Sequence, residues 1–194
     1  MSDGAYTAAH EQFITLAKSQ RGRALVSLLE KVLESPKIFV FSELLEMEAV
    51  RALCDTEFAP HLARLELFAY GTYRKYAESS SAFPTLNQKM IKKLRQLSIV
   101  SLAQKSKMVP YSTLQDELHV DNVRALEDLI LDTIYAGLLD GKLDQASAVL
   151  HVKSCIARDI RREDVDSMLQ KLILWREHIK ELIKVFNENS ADIE

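Results

Sequence analysis

Five histidines, two cysteines and the hydroxyls of scattered serines are the side chains of this 194-residue chain whose types could drive a reaction. His10, His61, His119, His151 and His178 form neither HExxH nor an HxH pair, so no spacing aims two imidazoles at one zinc ion. Each is read as a surface or helix-turn residue. Cys54 and Cys155 make no CxxC pair, which argues against a zinc ribbon or a disulfide framework and for a reducing compartment. Cys54 follows Arg51 in a leucine-rich stretch and is read as a small core side chain rather than a reactive thiol. There is no GxSxG, and no serine has a nearby His and Asp in a recognisable motif. The 5 glycines are isolated from one another, so neither a P-loop nor a dinucleotide fingerprint can be written. The expectation is a protein that is not an enzyme and takes no metal and no cofactor.

The elements that would carry other kinds of function are legible in the apolar spacing. Hydrophobic residues are 47% of the chain and charged residues 27%, with 5 Gly and 4 Pro, a composition that suits a mainly helical globular protein. Phe13, Leu16 and Ala17, then Ala24, Leu25, Leu28, Leu29, Val32 and Leu33, then Leu62, Leu65, Phe68 and Ala69 recur at helical steps. Breaks at Arg21-Gly22, Ser35-Pro36 and Ala59-Pro60 suit short helices stacked antiparallel as a helical-repeat subdomain over residues 1–80. The run Ser79-Ser80-Ser81-Ala82-Phe83-Pro84 reads as a linker.

A second subdomain, residues 85–160, reads as three helices and a hairpin. Thr85 with Gln88, and Ser112 with Gln115, have the spacing of capping boxes, and Asp121 or Asn122 stands ready to cap a third helix. Met90, Leu94, Leu97 and Leu102 face one side of the first helix, which Val109-Pro110 ends; Val123, Leu126, Leu129, Ile130, Ile134 and Leu138 mark the third. Lys142–Gln145 and Ala148–Val152 read as two short strands about a polar turn, completing a winged helix. Residues 161–194 read as one long helix. In it Val165, Met168, Leu172, Trp175, Ile179, Leu182 and Phe186 alternate steps of three and four as a heptad seam, widened by Leu169 and Ile183.

Charge separates two uses of a winged helix. Lys89, Lys92, Lys93, Arg95, Lys105 and Lys107 make a basic stretch free of acids, a solvated face or a site for RNA or an acidic partner. From Asp116 to Asp144, however, 8 acids (Asp116, Glu117, Asp121, Glu127, Asp128, Asp132, Asp140 and Asp144) stand against 2 bases, Arg124 and Lys142. A recognition helix so charged would bring carboxylates toward phosphates, which argues against major-groove binding. The net charge of −3 offers no global attraction to nucleic acid or an anionic membrane. No run of about 18 apolar residues suggests a membrane span, and the polar N-terminus does not read as a signal peptide. A soluble intracellular protein is expected.

Several strings also resemble a known family. Phe39-Val40-Phe41-Ser42-Glu43-Leu44-Leu45, Phe68-Ala69-Tyr70-Gly71-Thr72-Tyr73, Val109-Pro110-Tyr111, Asn122–Leu129, Tyr135-Ala136-Gly137, Gly141–Gln145 and Arg158-Asp159-Ile160 together are similar to PCI-domain proteins, and within them to the seventh-subunit family of the COP-9 signalosome. The resemblance implies a single PCI domain and a non-catalytic scaffold subunit of a complex that deneddylates cullin-RING ubiquitin ligases, found in cytoplasm and nucleus. It implies pairing with other PCI subunits through the winged helix and entry of the terminal helix into a shared helical bundle. A winged-helix nucleic-acid module, or a PCI subunit of the proteasome lid or of a translation initiation factor, are the alternatives.

For partner contact the candidates are Leu143, Val149, Leu150 and Val152, at or beneath the edge of the wing, where backbone pairing could extend the sheet. In the terminal helix they are Trp175, Ile179, Leu182, Ile183 and Phe186, with Trp175 the expected anchor. Met168 and Leu169 are expected to pack within the chain.

Overall fold

A computed structural model describes residues 3–79 and 83–191. The chain divides into two compact units, Met1–Asp159 and Ile160–Glu194. The first opens with α1 (Asp3–Ser19) and α2 (Gly22–Glu34), separated at the expected Arg21-Gly22 break. In α2 the residues Leu25, Val26, Leu28, Leu29, Val32 and Leu33 are all buried, the i, i+3, i+4, i+7 stripe that one face of a helix must bury. Beyond Pro36 the chain forms α3 (Ser42–Glu46), α4 (Glu48–Arg51) and a 3₁₀ turn over Ala52–Asp55. Then come α5 (Ala59–Tyr70), with Pro60 in its first turn where a missing N–H costs nothing, and α6 (Tyr73–Glu78). Their core centres on Phe41 and Phe68, fully buried and packed edge to face at 6.2 Å.

Cys54 corrects one expectation: it is exposed. The leucine-rich stretch is broken at Met47 and continues as short turns instead of one helix, so the periodicity that would have turned Cys54 inward ends before it. Of the serine linker, residues 80–82 lie outside the described residues, while Phe83 packs partly buried against the N-terminal core.

The winged helix follows. It comprises α7 (Gln88–Lys105), β1 (Met108–Pro110), α8 (Tyr111–Leu118), α9 (Val123–Tyr135), β2 (Leu139–Asp144) and β3 (Val149–Cys155). The start of α7 differs from the Thr85–Gln88 capping box: Asn87 is the cap, its side chain accepting from the Met90 N–H at 2.9 Å. The Ser112–Gln115 box is also absent, because α8 begins at Tyr111 directly after Pro110, which leaves Ser112 inside the first turn. Asn122 does cap α9, accepting from the Arg124 N–H at 2.9 Å.

Val109-Pro110, read only as the end of a helix, is a strand. It pairs antiparallel with β3 (Val109 opposite Leu150), and β3 pairs antiparallel with β2 (Leu143 opposite Leu150), giving the order β1-β3-β2. Three residues with a proline carry too little pattern to be read as a strand without the partner that completes it. The turn between β2 and β3 is held by Asp144, whose carboxylate accepts from the Ser147 N–H at 3.1 Å, and Ala148 adopts a left-handed φ of 51°. That hydrogen bond holds the Asp144 carboxyl below its ordinary range.

Two apolar cores meet along α7. Met90, Leu94, Leu97 and Val100 belong to the N-terminal core. Ile99 and Ala103, on the opposite side of the same helix, join Tyr111, Leu114, Leu126, Ile130 and Leu150 in the core of the winged helix. The second unit consists of α10 (Arg162–Ala191), a single helix.

Candidate interaction surfaces

The wing is built so that β3 lies in the middle and β2 at an edge. Among the described residues β2 has a strand on one side only, which leaves the other side of its backbone available for a further strand. Leu150 and Val152 are buried in the winged-helix core, and Leu143 is half-buried against it, so these three support the edge from beneath. Val149 is half-buried and alternates with Leu150, on the other face of the sheet. Gly141 sits at a bulge in β2, where a Cβ would collide with the His151 carbonyl oxygen.

Two acids of α9, Glu127 and Asp132, serve internal contacts. Glu127 accepts from the Tyr111 hydroxyl at 3.2 Å and from the Gln145 side-chain amide at 3.0 Å, tying α8 and the wing turn to the helix. Burial, with the Glu127 carboxylate beside it, pushes the Tyr111 phenol up to about 12. Asp132 receives Lys92 at 2.6 Å. The basic stretch is dispersed likewise. Lys93 is buried, its ammonium donating to Val32 O at 3.0 Å and Ser35 O at 2.8 Å and lying over the rings of Phe39 and Phe41. The Lys107 ammonium donates to Lys153 O, and Arg95 stacks 4.4 Å from the centre of the Tyr73 ring.

Sequence reasoning did not single out the most connected polar residues, Arg158 and Asp159. The Arg158 guanidinium, 8% exposed, donates to Phe68 O (2.7 Å), Ala69 O (2.9 Å), Gly71 O (2.7 Å) and Ser101 Oγ (2.6 Å). Three of those acceptors are carbonyls at the C-terminal end of α5, where the helix leaves them unsatisfied and partly negative. Asp159 does the converse, accepting from the backbone N–H groups of Phe41 and Ser42 at the start of α3 (2.8 and 3.0 Å). Adjacent residues of opposite charge thus close two helix ends of complementary sign. Burial pulls the Arg158 guanidinium down to about 10, with Asp159 opposing the shift. The one signal in the sequence was the Arg158-Asp159-Ile160 string, and nothing local to it names α3 or α5.

Among the histidines, His61 has its Nδ1 2.9 Å from Arg64 Nη2, which also reaches Glu30 at 2.8 Å. Burial and the neighbouring guanidinium lower the His61 pKa, and Glu30 opposes them. His119 ends α8 in a left-handed conformation (φ 50°), and His151 lies 4.0 Å from Asp144. Among the described residues no three His, Cys, Asp or Glu gather where they could hold a metal ion, and no helix is long and apolar enough to cross a membrane.

On α10 most of the heptad seam is exposed. Trp175 is 64% exposed and Phe186 77%; Leu182 and Ile183 are exposed as well, and Ile179 is half-buried. Met168 and Leu169, expected to pack within the chain, are exposed too. The physical reason is that, among the described residues, α10 is the one regular element of its compact unit.

Comparison with known proteins agrees with the fold. Residues 11–42 match the CSN7 helical bundle subdomain, and residues 73–154 match the PCI domain. The chain is 45% identical over 175 residues to COP9 signalosome complex subunit 7 of Dictyostelium discoideum, covering 90% of this chain and 68% of that one. Subunit 7a of Mus musculus is 46% identical and subunit 7 of Drosophila melanogaster 44%, each over 165 residues, or 85% of this chain. The chain spans 60% of the mouse protein and 59% of the fly protein. These relatives are named as subunits of a complex, and no catalytic activity is indicated. A mainly helical chain with a winged helix, matched across most of its length at this identity, belongs to the COP9 signalosome subunit 7 family of PCI-domain proteins.

Proposed function

We propose that this chain is a non-catalytic scaffold subunit of the signalosome, holding neighbouring subunits in a fixed geometry within the complex that deneddylates cullin-RING ubiquitin ligases, in both cytoplasm and nucleus. Two surfaces do the holding. The free edge of β2, supported by Leu143, Leu150 and Val152, takes a strand from the winged helix of another PCI subunit. The α10 stripe, with Trp175 as its anchor, enters a bundle of helices from the other subunits. The observation that carries the reading is that stripe: Trp175, Leu182, Ile183 and Phe186 are large, apolar and exposed at heptad spacing on one helix. A soluble chain rarely exposes such a face unless something covers it.

The test is reconstitution of the complex with Leu182→Glu and Phe186→Glu combined. We expect the variant to keep the circular-dichroism spectrum of the parent and to fail to co-elute with the other subunits, because two carboxylates in an apolar bundle would stay uncompensated. Co-elution at parental stoichiometry would remove α10 from the assembly surface.

A further inference from the structure

We propose that His61, Arg64 and Glu30 form a proton-operated latch between α2 and α5, closed while His61 is neutral and released when it takes up a proton. His61 and Arg64 stand three residues apart in α5, a spacing that sets their side chains on one face, and Glu30 reaches them from α2. One guanidinium nitrogen, Arg64 Nη2, donates to Glu30 Oε1 at 2.8 Å and to His61 Nδ1 at 2.9 Å. A guanidinium has donors and no acceptor, so Nδ1 must present its lone pair and the single ring proton sits on Nε2. The contact as it stands requires a neutral imidazole. Arg64 cannot turn to water instead: it is 3% exposed, and its Nε is already buried without a partner.

Protonation reverses what His61 can do. A proton on Nδ1 turns the acceptor into a donor and sets an imidazolium against the guanidinium at 2.9 Å. An acceptor for the new N–H stands 3.7 Å away, Glu30 Oε1, which already holds Arg64. The two cations then compete for one carboxylate, and parting α5 from α2 relieves the loser by admitting water. The other charges around the ring are Arg23 of α2 and Glu57 just before α5, which line the same cleft as His61; both are exposed and they are opposite in sign, so neither decides the balance. Phe58, its ring centre 6.4 Å from that of the imidazole, offers no acceptor. Burial and the Arg64 guanidinium hold the His61 pKa below the ordinary 6.5, with Glu30 opposing them. Above that ordinary value neither the closed nor the open form holds the proton. Below it the open form takes the proton before the closed form does, so opening grows easier as pH falls.

The experiment is NMR of the full chain. Long-range ¹H–¹⁵N spectra of the imidazoles, with His61 assigned by its loss in His61→Gln, should show the Nε2–H tautomer at about pH 7.5 and a titration midpoint below 6.5. Amide exchange in α5 and the second half of α2, corrected for intrinsic rates, should be about fivefold or more faster at about pH 5.5 than at about pH 7.5, while α9 keeps its protection. His61→Gln supplies an amide oxygen that accepts from Arg64 and cannot titrate, so it should match the parent at the higher pH and lack the acceleration at the lower one. The tautomer and the midpoint are read on the parent chain, so they decide the matter whether or not the variant folds. A ring proton on Nδ1, a midpoint at or above 6.5, equal acceleration in α9, or the same acceleration in a folded His61→Gln would overturn the latch.

Discussion

Arg158 shows how much one side chain can hold when its partners are backbone. Three of its four hydrogen bonds reach carbonyls that no N–H within α5 can satisfy, and the fourth reaches the Ser101 hydroxyl, so removing the guanidinium leaves those carbonyls buried without a donor. Arg158→Met is expected to destabilise the chain by about 3 kcal/mol, read as a lowered urea midpoint; a loss below about 1 kcal/mol would mean that water replaces the guanidinium at that helix end. Lys93 carries a pH dependence. Burial lowers its ammonium from the ordinary 10.5 to about 7, against the pull of two carbonyls and two ring faces. Between those values the unfolded chain holds a proton that the folded chain has released, so stability rises with pH across that window, by up to about 1.4 kcal/mol per unit. Urea midpoints measured from pH 7 to 10 should climb in the parent relative to Lys93→Met, and parallel curves would show that the folded ammonium keeps its proton throughout.

At the scale of the element, the wing depends on close approach of two backbones. A side chain at position 141 would meet the His151 carbonyl, and that obstacle is backbone that can move only by shifting β2 against β3. Gly141→Val is therefore expected to disturb the whole hairpin, with amide exchange in Leu139–Asp144 and Val149–Cys155 accelerated at least tenfold and exchange in α2 and α5 unchanged. Protection retained in both strands would mean that the bulge relaxes locally. A short strand over Ala148–Val152 was legible in the sequence, but β1 was not, since its identity as a strand comes from β3 beside it.

For the whole molecule, α7 is the member shared between two cores, so the N-terminal helices and the winged helix cannot each keep a complete core without it. Arg158 and Asp159 add the return contacts, from the segment after β3 back to α5 and α3. Unfolding of residues 1–161 alone should accordingly be one cooperative transition, coincident by far-ultraviolet circular dichroism and by Tyr111-region NMR signals. Two separated transitions would show that α7 does not couple the cores. In this truncated chain the contact proposed for α10 is removed by design, and any remaining subunit pairing would report on the proposed wing edge.

What the amino-acid order determined by itself has a short period: the apolar stripes of α2 and α9, the two strands of the hairpin, the heptad spacing of α10 and a cap at Asp121 or Asn122, because each depends on neighbours within a few residues. The acid-rich third helix could likewise be read as a poor match for phosphates before its partners were known. Only the tertiary structure decided which charges are spent internally, burying Lys93 beneath two aromatic rings and giving Glu127 and Asp132 to neighbours in the fold. It also turned Cys54 outward, moved the start of α7 to Asn87 and set Arg158 against α5, 87 residues away from Gly71. Those outcomes rest on contacts between residues far apart in the chain, and a local pattern holds no information about which distant carbonyl, ring or carboxylate will arrive beside a given side chain.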